Sequence, residues 1–206
     1  MAGEVLIVET GTANIASVQA GLGRAGARPV LENDPERLAR ADRVVVPGVG
    51  ALAAAMIRLE NDGLVEVLRD RVEEGRPTLG ICLGLQLLCA GSEESEGVAG
   101  LGVIAGRVQR FDDSVLVPQM GWNQVLPGKN SRYLKRGYAY FANSYRLATA
   151  PEPWVAAWSD HGGPFVAAVE KGDVVGCQFH PELSGSWGQD LLTRWLKGDP
   201  EGGTSC

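Results

Sequence analysis

Wholly apolar runs alternate with helical periodicity through the first half of the chain. Val5-Leu6-Ile7-Val8 and Val44-Val45-Val46 lack any polar position, the mark of strands covered on both faces. Between them, Asn14 reads as a helix cap ahead of Ile15, Val18 and Leu22, which are spaced for one buried face. A second strand is expected over 28–31, and Pro35-Glu36-Arg37-Leu38 reads as the first turn of a short helix. Pro47-Gly48 stops the third strand. Helices are expected over 51–60 and 64–74, the second ending at Gly75. Thr78-Leu79-Gly80-Ile81 then gives a fourth strand, with a helix over 83–90. Repeated strand–helix units with apolar strands predict an α/β fold with a doubly wound, mostly parallel sheet and right-handed crossovers.

An acidic, glycine-rich surface loop is expected over 92–102, and beyond it the pattern turns to strands at 103–111, 122–126, 138–144, 154–158, 165–170 and 174–179. A last helix, 188–196, would pack through Leu191, Leu192 and Trp195. No linker or repeat divides the chain. The expectation is one domain over 1–197 with a strand-rich second half, followed by a polar tail, 198–206.

Composition narrows the function. The 206 residues are 45% hydrophobic and 21% charged, with a net charge of −6, so a packed globular chain is expected. Scattered basic residues in an acidic chain argue against nucleic acid. No apolar run approaches the ~18 residues of a membrane span, and Met1-Ala2-Gly3-Glu4 lacks the basic flank of an export signal, so the expected address is cytoplasmic. The four cysteines, Cys82, Cys89, Cys177 and Cys206, are too irregular for a disulfide framework or a metal site. No metal or cofactor is expected.

Three segments carry chemistry. Gly21-Leu22-Gly23-Arg24-Ala25-Gly26 matches the dinucleotide fingerprint, but a helix precedes it and a strand follows, which is the wrong order for a phosphate at a helix N-terminus. It is rejected. Gly80-Ile81-Cys82-Leu83-Gly84 places a thiol between glycines where a buried strand meets a helix, the logic of a nucleophile elbow. The helix start favours thiolate there, and the Leu83 N–H is available to an oxyanion. A buried cysteine is more often a small hydrophobe, which fits Cys89 and Cys177. His180-Pro181-Glu182 closes an apolar run; on an extended segment His180 and Glu182 would point the same way, so that the carboxylate orients the imidazole. His161, in Asp160-His161-Gly162-Gly163, fits a solvated turn. Finally Pro47-Gly48-Val49-Gly50 follows a strand's C-terminal end, where α/β sheets build sites, and its glycines let a backbone N–H turn toward a carbonyl.

Gly80-Ile81-Cys82-Leu83-Gly84-Leu85-Gln86 together with Gln178-Phe179-His180-Pro181-Glu182 resembles the class I (triad) glutamine amidotransferases. Pro47 to Gly50, Gln119-Met120-Gly121-Trp122-Asn123 and Tyr140-Phe141-Ala142-Asn143-Ser144-Tyr145 narrow the resemblance to glutaminase subunits of histidine biosynthesis. It implies a flavodoxin-like sheet and hydrolysis of glutamine to glutamate and ammonia. Cys82 would be the nucleophile, His180 the proton shuttle and Glu182 its orienter. Val49 and Leu83 would form the oxyanion hole, with Gly48, Gly50, Gln86, Asn143, Ser144 and Tyr145 about the substrate. Ammonia would pass, within a heterodimer, to a (β/α)8-barrel cyclase that makes imidazole glycerol phosphate and aminoimidazole carboxamide ribotide. The chain departs from the family at Gln119 and Asn143, where many members have histidine, and at Glu9-Thr10-Gly11-Thr12-Ala13-Asn14. Other readings compete. The glutaminase of pyridoxal phosphate synthase usually carries Pro-Gly-Gly-Glu-Ser after the third strand, unlike Pro47 to Gly50. A non-catalytic regulatory relative would have no need of Cys82, His180 and Glu182 together. A cysteine peptidase on a related fold would not account for His180-Pro181-Glu182.

Overall fold

The computed structural model describes residues 3–11 and 13–198. The expected tail therefore lies, apart from Gly198, outside the described residues, as do Thr12 and Cys206. The first half follows β1 (Glu4–Ile7), α1 (Ile15–Arg24), β2 (Arg28–Leu31), α2 (Pro35–Arg40), β3 (Val44–Gly48), α3 (Leu52–Asn61), α4 (Val65–Glu73), β4 (Thr78–Cys82) and α5 (Leu83–Leu88). Local chemistry starts these helices where expected: Asn14 accepts from the Ser17 N–H at α1, and Asp34 from the Arg37 N–H at α2.

The second half adds β5 (Cys89–Ser92), β6 (Ile104–Arg110), β7 (Gln119–Pro127), β8 (Gly137–Asn143), β9 (Tyr145–Leu147), β10 (Val155–Asp160), β11 (Pro164–Lys171), β12 (Val174–Cys177) and α6 (Gly185–Lys197). All join one sheet with the path β2-β1-β3-β4-β12-β11-β10-β7-β8. From β2 to β12 neighbours run parallel; from β12 to β8 they alternate in direction. The parallel part is the doubly wound sheet that the apolar runs predicted.

Alternate residues of its strands feed two cores, as the period of two requires. Val5, Ile7, Val45, Leu79 and Ile81 pack with α1 and α6 through Val18, Leu22, Leu191, Leu192 and Trp195. Leu6, Val8, Val44 and Val46 pack on the other face with the leucines of α2 to α5. The whole of α5 is buried.

Boundaries differ from the sequence expectation at several places, among them β7, which begins at Gln119, and β12, which ends at Cys177. The helix over 83–90 stops at Leu88, because the backbone from Cys89 instead pairs parallel with β6, in register Cys89↔Ile104. Every residue from Leu85 to Cys89 is buried, so apolar periodicity could not mark the change. The third strand runs on through Pro47 and Gly48, which pair with Ile81 and Cys82. The short β9 was not anticipated; it bridges β6 and β11.

Close backbone approach at Gly84 fixes α5 against β3. A Cβ added there would lie 1.8 Å from the Val46 carbonyl oxygen, which is backbone and cannot swing aside. Gly84→Ala is expected to lower unfolding stability by about 3 kcal/mol or more, at the upper end of overpacking costs; a denaturant midpoint near wild type would refute the tight contact.

Candidate active site

The C-terminal ends of β3, β4 and β12 lie side by side, and each delivers one part of the site. Gly48 is in register with Cys82, and Cys177 with Ile81, so the residues just beyond β3 and β12 flank Cys82. Cys82 itself has φ +55° and ψ −105°, a conformation side chains rarely adopt. Gly80 allows the turn to fold back, since a Cβ there would meet the Gly84 backbone at 2.8 Å. Strand, turn and helix thus form the elbow that the glycine spacing indicated.

His180 is anchored by its own backbone. Its N–H donates to the Tyr140 carbonyl at 2.9 Å, and its carbonyl accepts from Ser184 Oγ at 2.6 Å. Its Nδ1–H donates to Glu182 Oε1 at 2.9 Å, leaving Nε2 as the nitrogen toward Cys82. The contact is the one expected, but the backbone differs. Pro181 to Leu183 form a turn of 3₁₀ helix, closed by the Leu183 N–H on the His180 carbonyl. Glu182 therefore reaches the ring by curling back, not by lying two residues along an extended chain. Glu182 Oε2 is buried with no hydrogen-bond partner among the described residues.

The electrostatics follow from these contacts. Burial works against charge on His180, but hydrogen bonds to Cys82 and Glu182, together with their charges, outweigh it and raise the imidazole to about 10. The imidazolium is therefore the favoured form of His180. The other described thiols behave differently: burial pushes Cys89 up to about 12 and Cys177 well above its ordinary range, so both are inert at neutral pH. His161 is half-buried rather than solvated. It stacks edge-on against Phe111 and contacts the Leu116 carbonyl, away from the cysteine.

A cavity of about 220 Å³ opens on Cys82, lined by Val49, Gly50, Leu83, Gln86, Asn143, Ser144 and Tyr145, all expected from sequence, and by Glu94 and Ala142, which were not. Gly48 sits behind this lining, under the Leu83 side chain. Glu94 brings the cavity a carboxylate at its rim. Partial desolvation raises this carboxyl, opposed by the Leu52 backbone N–H. Its signal was hidden in the acidic stretch read as surface loop; there Ser92 Oγ accepts from the Glu94 N–H, and Ser95 Oγ from the Ala53 N–H, ordering the segment against α3. Gln119 and Asn143 face each other across β7 and β8, and each buries an oxygen without a partner among the described residues. A larger cleft of about 480 Å³ lies at the other end of β1, where Arg37 pairs with Glu4 and Glu32, and Arg40 with Glu36. Among the described residues no group of three or more His, Cys, Asp or Glu side chains is placed to hold a metal ion.

The family model for class-I glutamine amidotransferases matches residues 8–197. A relative from Yersinia pseudotuberculosis, the imidazole glycerol phosphate synthase subunit HisH, is 41% identical over 200 residues, covering 94% of this chain and 99% of its own. The protein of the same name from Methanothermobacter thermautotrophicus is 41% identical over 196 residues, covering 94% and 98%. Among solved structures, a glutamine amidotransferase superposes with a TM-score of 0.75 at 21% identity, covering 93% of this chain and 96% of that one. A second glutamine amidotransferase, from Thermotoga maritima, gives 0.59 at 15%, covering 96% and 82%. At that identity the structures speak for the fold alone.

The charge arrangement has a measurable consequence. Cys82→Ala removes the larger of the two hydrogen bonds that raise the imidazole, so the His180 titration midpoint, followed by NMR, should fall. An unchanged midpoint in Cys82→Ala would separate the two side chains.

Proposed function

The chain belongs to the class-I glutamine amidotransferases, and from that premise we propose that it is the glutaminase subunit of an imidazole glycerol phosphate synthase, with Cys82, His180 and Glu182 as its catalytic residues. The observation that carries the reading is the line of contacts from Glu182 through His180 to Cys82, opening on a cavity of glutamine size. Cys82 Sγ attacks the side-chain carboxamide carbon. His180, carrying the proton taken from the thiol, gives it to the departing nitrogen, and ammonia leaves. The γ-glutamyl thioester remains on Cys82 until water, deprotonated by His180, displaces the sulfur and glutamate is released.

The backbone N–H groups of Leu83 and Val49 are the donors we assign to the oxyanion. The Val49 N–H belongs to the peptide that Gly48 begins, and with no Cβ on Gly48 that peptide reorients at little cost. In this reading the α-amino and α-carboxyl ends of glutamine are held by Gln86, Glu94 and the Asn143-Ser144-Tyr145 segment, with Glu94 opposite the ammonium group.

The partner is the (β/α)8-barrel cyclase of a heterodimer, which takes the ammonia to make imidazole glycerol phosphate and aminoimidazole carboxamide ribotide in histidine biosynthesis. An exposed apolar face suits that docking. Met120 and Trp122 share one face of the β7–β8 hairpin with Tyr138, and all three are more than half exposed. Trp122 also stacks edge-on with Tyr140, whose carbonyl holds the His180 N–H. No helix among the described residues is long and apolar enough to cross a membrane. A nucleophile that must stay a free thiol fits a cytoplasmic address.

Cys82→Ser should abolish glutamine hydrolysis while the cyclase reaction survives on added ammonium salts. Substantial residual hydrolysis would remove Cys82 from its role. Glu94→Gln should raise KM for glutamine about tenfold, the loss of a charge-assisted hydrogen bond, with kcat little changed. Turnover in His161→Ala should match wild type; a large loss would mean that a second histidine is required.

A further inference from the structure

Gln178 stands between the nucleophile and the cavity wall. Its side chain is fully buried at the residue after β12, and its backbone N–H donates to the Ala167 carbonyl at 2.8 Å. Both ends of its amide are engaged. Nε2 donates to Cys82 Sγ at 3.7 Å, and Oε1 accepts from Gln86 Nε2 at 3.2 Å. Charge fixes the sense of this chain of amides. With His180 held as imidazolium, Cys82 Sγ is an acceptor, so Gln178 must offer it an N–H and turn its oxygen to Gln86. Gln86 must then present its NH2 group inward, which leaves its own oxygen as a free acceptor at the cavity.

We propose that Gln178 is a positioning residue that couples nucleophile to substrate: it holds Cys82 Sγ and sets the Gln86 amide so that the cavity offers an acceptor to the substrate's ammonium group. This rests on the glutaminase reading for its substrate, but not for its coupling. As Sγ is acylated it loses its charge, the Gln178 N–H loses its strongest partner, and the constraint on Gln86 relaxes at the stage when product must leave.

The test separates the two functions of Gln178. Gln178→Glu keeps an acceptor for Gln86 but withdraws the donor from Sγ. Iodoacetamide alkylation of Cys82 at neutral pH, read by mass spectrometry at that residue, should slow about tenfold or more, as for loss of a hydrogen bond to a charged atom. Its kcat should fall with KM little changed. Gln178→Met, similar in size, removes both contacts, so kcat should fall and KM should also rise. Gln86→Glu, although Gln86 itself bonds to Gln178 and not to Cys82, should slow alkylation of the otherwise wild-type protein by turning the Gln178 amide; in the Gln178→Met background the same change should have a clearly smaller effect. Thermal melts check that each variant folds, and the Gln178→Glu and Gln86→Glu rates suffice if Gln178→Met does not. Wild-type alkylation in Gln178→Glu, or an equal effect of Gln86→Glu in both backgrounds, would overturn the coupling. Intact coupling in a protein that does not turn over glutamine would instead overturn the glutaminase reading alone.

Discussion

Everything at the site depends on a backbone conformation that Cys82 would not choose. A residue with a side chain held at φ +55° costs about 1–3 kcal/mol unless its surroundings over-determine it. Here they do. Strands β3 and β12 pair with β4 on either side, and α5 is pressed against β3 so closely that Gly84 leaves no room for a Cβ beside Val46. The two glycines of the motif thus do different things. Gly80 permits the chain to double back, and Gly84 permits the helix to approach. Together they hold the thiol at the end of the strand, where its neighbours are other strand ends and not its own helix.

Parallel pairing then fixes what those neighbours are. Because β3, β4 and β12 run in the same direction and end at one level, segments far apart in sequence are delivered to one place: Val49-Gly50, Cys82, and Gln178 with His180. The strand-rich second half closes the arrangement from the other side. Tyr140, on β8, takes the His180 N–H on its carbonyl, and its own N–H donates to Ser184 Oγ. The imidazole is therefore set by two contacts to the His180 backbone, one from Tyr140 on β8 and one from Ser184 at the start of α6, and by the Glu182 carboxylate on the 3₁₀ turn between them. Side chains on such elements are placed more closely than side chains on loops.

The same geometry explains which parts of the site were legible in the sequence. Cys82 announced itself because it stands between two glycines where an apolar strand meets a helix, the spacing of a nucleophile elbow. The sheet was legible because buried parallel strands leave unbroken apolar runs. Glu94 was not, since an acidic side chain at a cavity rim looks the same in sequence as one on a solvated loop; the difference is made by Ser92, Ser95 and α3, which order the loop. Gln178 stood out only as part of a motif, because a buried amide has no periodicity of its own and acquires meaning from Cys82 and Gln86. The Glu182 contact was reached through the wrong local conformation. Proline favours extended backbone in the residue before it, and His180 is extended, but proline is also at home in the first turn of a helix, and the chain after it curls. The end of α5 was illegible for a further reason: with Leu85 to Cys89 buried throughout, only the tertiary pairing of Cys89 with Ile104 decides between helix and strand.

The burial of the site also sorts its parts by what each is able to do. Cys82, His180 and Glu182 are all less than a tenth exposed, so solvent screens their contacts little, and the hydrogen bonds and charges around the ring hold His180 as an imidazolium against the cost of its burial. That mutual support is needed, because an isolated charge in the same place would be expelled by desolvation, the very effect that keeps Cys89 and Cys177 as neutral thiols. Val49 is different. At 41% exposed, between glycines and past the end of its strand, it is less confined than those three side chains. The side chains we assign to bond making and breaking are thus buried, while the Val49 amide we assign to the oxyanion lies on a more exposed stretch of the cavity wall.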